Sequence, residues 1–104
     1  MGVTDSESLP RPGQIVRILK GREAGNFAIV IGVENPRFVW LADGSARKAD
    51  RPKKKNVKHI QPTNFIAGEV AEALEKTGRV PNAKLRYALN QYLLHRGNDE
   101  EKGG

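Results

Sequence analysis

The spacing of apolar residues in this chain changes once, just after Pro62, from a period of two to the period of a helix. A chain of 104 residues has room for one small domain, or for a domain with a helical appendage. The change of period makes β-structure followed by helices the expected arrangement. Gln14 to Leu19 is the first strand candidate, and Lys20 to Asn26 is a basic loop punctuated by glycine. Phe27 to Val33 is a strongly β-forming second strand, with Phe27, Ile29, Ile31 and Val33 on one face and Ala28, Val30 and Gly32 on the other. Glu34 to Pro36 reads as a turn and Arg37 to Ala42 as a third strand. Asp43-Gly44 then gives a hairpin signal, because positive φ suits both residue types. Ala46 to Ala49 is expected as a short return strand that Pro52 interrupts, and Val57 to Gln61 as the last strand. Five short strands within about fifty residues suggest a small closed barrel, since closure removes exposed edges.

Beyond Pro62, Thr63 or Asn64 is placed to cap a helix in which Ile66, Val70, Ala71 and Leu74 share a face and which Gly78 ends. A second helix is expected from Asn82, after Pro81, to about Arg96 before Gly97, with Leu85, Ala88, Leu89, Tyr92 and Leu93 on one face. The short connection predicts an antiparallel helical hairpin whose apolar face packs on the barrel or on a partner. The expected organisation is a disordered leader over 1–12, a barrel with a polybasic segment over 13–62, the hairpin over 63–97 and a disordered tail over 98–104.

Charge singles out one part of this plan. The formal charge is +6, yet from Thr63 onward six basic residues meet six acidic ones. The whole excess precedes Thr63, and most of it falls between Arg47 and Lys58, where seven basic residues (Arg47, Lys48, Arg51, Lys53, Lys54, Lys55 and Lys58) accompany one acid. A solvated charged face is the ordinary reading of such a run. Three consecutive lysines after Pro52, on a chain whose other half is neutral, instead point to a polyanion. No amphipathic helix carries this charge, so a membrane partner is not expected.

Other chemistry finds little support. The chain has no cysteine, which excludes thiolate metal sites, disulfides and a cysteine nucleophile. His59 and His95 lack acidic neighbours at metal-ligand spacing, and Gly21 and Gly25 are not followed by the Gly-Lys-Ser/Thr of a phosphate-binding loop. Glu69, Glu72 and Glu75 recur on one helix face that offers no pocket to raise a carboxyl pKa. No catalytic residue, cofactor or metal is expected. Phe27, Phe38 and Trp40 read mainly as packing residues, with Trp40 expected to seat the helical hairpin rather than to stack on a base. Nothing near Met1 has the apolar run of a signal peptide, so a soluble cytoplasmic protein is expected, and closed barrel edges make a monomer the default.

The stretch from Gly13 to Val33, in which two hydrophobic strands flank a basic loop with a glycine at Gly25, resembles a KOW motif. Its order (this motif, then Ala42-Asp43-Gly44, Pro52 to Lys55, Val57 to Ile60 and two helices) is similar to KOW-domain RNA-binding proteins of Gram-positive bacteria. Those are related to the KOW-bearing large-subunit ribosomal proteins of archaea and eukaryotes. The resemblance spans about Gly13 to Leu94 and implies an SH3-like barrel, RNA binding (ribosomal RNA above all) and ribosomal association. It also implies that Lys20, Arg22 and Gly25 of the loop join the polybasic segment in contacting RNA. The alternative is a protein-interaction module that docks a ribosomal protein or a transcription or translation factor through the hairpin and barrel.

Overall fold

A computed structural model describes residues 9–34 and 37–103, with side chains described as far as Arg96. The expected leader up to Ser8 and the centre of the turn at Asn35-Pro36 lie outside the described residues. Five strands, β1 (Gln14–Ile18), β2 (Phe27–Glu34), β3 (Phe38–Ala42), β4 (Lys53–Asn56) and β5 (Ile60–Ile66), precede two helices, α1 (Gly68–Thr77) and α2 (Asn82–Gly103). A 3-10 turn, Val57–His59, joins β4 to β5. The strands form one sheet in the order β4-β3-β2-β1-β5, with every neighbouring pair antiparallel.

The two apolar faces read along Phe27 to Val33 are both covered over Ala28 to Val30, whereas Val33 is exposed. Val16, Ile18, Ala28, Val30, Val39, Leu41 and Ile60 form a buried cluster on one face of the curled sheet. Ile15, Ile29 and Ala42 turn to the other face, where they meet Ala67, Val70, Val80, Leu85, Ala88 and Leu89. The helices therefore pack on the sheet. Burial on both sides explains why β2 carries almost no polar residue. Tyr92 enters the second cluster from the side, with its ring 5.4 Å from Phe27 and 5.5 Å from Phe65. Leu93, expected on the same face, is exposed.

The sheet is open. β4 and β5 are its two edges and do not pair with each other, contrary to the closed barrel expected. The chain passes from β4 to the far edge through the 3-10 turn, which Asn56 caps by accepting from the Lys58 amide at 2.8 Å.

Four elements have boundaries that differ from those expected. Ala46 to Ala49 is not a strand, because its backbone groups are engaged elsewhere. Asp43 Oδ1 accepts from the Ser45 and Arg47 amides, both at 2.8 Å, and the Ala49 amide donates to Asn82 Oδ1 at 2.7 Å. Pairing with β3 is thereby postponed to Lys53. The last strand does not begin at Val57, and it runs on through Pro62 and Thr63 to Ile66. Pro62 is tolerated because β5 is an edge, and Thr63 donates its hydroxyl to the Ile15 carbonyl at 2.8 Å instead of capping a helix. α1 begins after Ala67, whose amide donates to the Gly13 carbonyl at 2.8 Å, and ends at Gly78 with φ +75° as expected. α2 continues past Gly97 to Gly103, beyond the end near Arg96 and into the expected tail. No helix among the described residues is long and apolar enough to cross a membrane.

Candidate nucleic-acid interface

The antiparallel register brings the end of β1, the start of β2, the end of β3 and the starts of β4 and β5 to one end of the sheet. The Lys20–Asn26 loop and the 43–52 connection project there together. Lys20, Arg22, Lys48 and Arg51 are exposed on these segments, and Lys53 is exposed at the start of β4. Two residues tie the Lys20–Asn26 loop to its neighbours, Lys55 of β4 and Arg47 of the 43–52 connection. Lys55 Nζ lies over Gly21, 2.9 Å from where a β-carbon would stand, so any larger residue there would displace the amine. Arg47 Nη2 lies 4.0 Å from Glu23 Oε2. The 3-10 turn arrives at the same end, where the Leu19 amide donates to the His59 carbonyl at 2.9 Å and sets exposed Lys58 beside the start of the loop.

Gly25 has φ +95° with open space where a β-carbon would be. Its amide donates inward to the Ile18 carbonyl at 2.7 Å, and the Ala24 and Asn26 amides donate to Gly21 and Glu23 carbonyls within the loop. Gly25 thus shapes the reversal through its positive φ, and its own N–H is already engaged.

Strand alternation divides the three consecutive lysines. Lys53 and Lys55 stand opposite Leu41 and Val39, on the side that meets the Lys20–Asn26 loop. Lys54 stands opposite Trp40 on the other face. There its ammonium lies 3.3 Å from Glu34 Oε2, 4.7 Å from the centre of the Phe38 ring and 5.8 Å from that of Trp40. Glu34 also accepts from Trp40 Nε1 at 3.1 Å. Trp40 does not seat the helices. It lies over Gly32, where the absence of a side chain leaves room for the ring, and it is not among the side chains packed on the helix-facing cluster. Glu34, Phe38, Trp40 and Lys54 are therefore a second assembly that spacing alone did not reveal. The signal for it is register, because Trp40 and Lys54 become neighbours only once β3 and β4 are paired.

Of the candidate residues, Lys20, Arg22, Arg47, Lys48, Arg51, Lys53, Lys55 and Lys58 come together at or alongside one end of the sheet, and Lys54 is set apart. Such an end offers a set of cations around a shaped loop. It suits the positioning of several phosphates rather than the reading of bases.

No family model matches the chain. Two known proteins are similar to it over most of their length. The putative ribosome-binding protein YbzG of Bacillus subtilis is 33% identical over 70 residues, covering 67% of this chain and 95% of that protein. The large ribosomal subunit protein eL14 of Pyrobaculum calidifontis is 30% identical over 82 residues, covering 71% of this chain and 80% of that protein.

Proposed function

The chain belongs to the KOW-like ribosomal protein family of these two relatives, and from that premise we propose that it is a non-catalytic protein that binds structured RNA on the ribosome. The observation that carries this reading is the convergence of the Lys20–Asn26 loop with Arg47, Lys53 and Lys55 at one end of the sheet. Phosphate contacts from these cations supply affinity and register, and recognition follows RNA shape, since side chains do not enter the deep groove of an A-form helix. The names of the relatives support the ribosome as the place of binding, and within this reading ribosomal RNA is the partner and the cytoplasm the place of action. The strand order β4-β3-β2-β1-β5, with a 3-10 turn before the last strand, supports an SH3-like description of the sheet, left open at its edges. Docking of a protein through the helices is less well supported, because Leu85 and Leu89 are buried against the sheet and Tyr92 packs between two phenylalanines.

Sedimentation of the tagged protein through a sucrose gradient of cell lysate tests this reading. Co-migration with a ribosomal subunit or its precursor, lost as salt rises, is the expected result. Protein that stays at the top of the gradient at low salt removes the ribosome from the proposal.

A further inference from the structure

We propose that the cavity between the Lys20–Asn26 loop and Arg47 is a seat for a single phosphate group of the RNA backbone, with Glu23 in its wall in the free protein. The proposal deepens the RNA-binding reading and takes its ligand from it. The cavity measures about 60 Å³ and is lined by Glu23, Asp43, Arg47, Lys53 and Lys55 over an apolar floor that includes Leu41. That is several times the roughly 10–15 Å³ needed to admit one water. Three basic and two acidic residues line it, and one of the two carboxylates is already engaged, since Asp43 Oδ1 accepts from two backbone amides.

Arg47 supplies the pointer to a ligand. Its Nε is buried and donates to no acceptor among the described residues. The Glu23 carboxylate, 4.0 Å from Nη2, is too far for a hydrogen bond and contributes only Coulombic attraction. Glu23 therefore balances charge in the cavity without satisfying the guanidinium. A phosphate has more oxygens, set at the spacing that the two-pronged face of a guanidinium matches, and carries the charge that Lys53 and Lys55 also attract. Glu23 rides on a loop that reverses at Gly21 and Gly25, both at positive φ, and its side chain is one-third exposed, so it has an open path outward as phosphate enters.

Titration of the ¹⁵N-labelled full chain with inorganic phosphate, against chloride at matched ionic strength, tests the seat. The reporter is the Nε–H resonance of Arg47, identified by its loss in R47K, whose amide spectrum also checks folding. A saturable shift with phosphate and none with chloride is expected. E23Q should bind phosphate about two- to fivefold more tightly, the ratio that matches loss of one part-exposed like charge. R47K, which keeps the charge but lacks the fork, should bind an RNA hairpin more weakly than the wild type does. An Arg47 Nε that ignores phosphate, or an E23Q variant with unchanged or weaker phosphate binding, overturns the proposal. If RNA binds while Arg47 Nε responds to neither RNA nor phosphate, the seat is lost and the RNA-binding reading stands. A saturable phosphate shift in a protein that binds no RNA keeps the seat, assigns it to a small phosphate compound and sinks that reading.

Discussion

A lysine on a strand is aimed by its parity, and parity here separates Lys54 from its two neighbours. Lys53 and Lys55 face the Lys20–Asn26 loop, whereas Lys54 is held by Glu34 and lies near two aromatic rings. K53Q/K55Q should therefore weaken RNA binding and flatten the slope of log affinity against log salt by about two, at roughly 0.9 for each phosphate left without its cation. K54Q should leave the slope within experimental error. Filter binding across a salt series separates the two, and equal slopes for the variants would remove Lys53 and Lys55 from the interface. The number of lysines was legible in the sequence. Their division was not, because Lys53 to Asn56 has no apolar alternation to mark it as a strand. Gly44 makes a different point at the same scale. It has φ +83°, and a β-carbon there would collide with the Asn82 carbonyl and come within 3.1 Å of Leu85 Cβ. G44A should cost about 2–4 kcal/mol in urea unfolding, from left-handed backbone strain and overpacking together. The Asp43-Gly44 pair announced a turn in the sequence, whereas the helix start lying against it appears only in three dimensions.

At the scale of elements, the helices are the cover of one sheet face, and α2 is fixed to it through Leu85. That side chain is fully buried, so L85A should destabilise the fold by about 2–5 kcal/mol in urea, the range for deleting a buried leucine. β1, β2, β3 and the beginnings and ends of most turns followed from apolar alternation and glycine placement. β4 and β5 did not, for a shared reason: both are edge strands, where lysines and a proline are allowed, and these residues hide the pattern that inner strands display. Thr63 looked like a helix cap because its hydroxyl suits that role equally well, and the bond to the Ile15 carbonyl is a long-range fact.

For the whole molecule, the buried cluster shared by sheet and helices makes separate unfolding of the two costly. Loss of helical circular dichroism and change in Trp40 fluorescence should coincide in one denaturant transition, and two midpoints would show that the helices are a detachable appendage. With about five phosphates neutralised, log affinity for RNA should fall with log salt at a slope near −4, and a slope near zero would mean that charge is not what binds.

The unpaired outer edge of β4 has a consequence for the protein away from any partner. An open edge is a template on which another copy can add its own strand. Where that strand is the copy's own β4, lysine meets lysine and mutual repulsion opposes the pairing. Polyphosphate or acetylation, by cancelling that charge, removes the guard as well as the affinity, and the first visible sign would be turbidity.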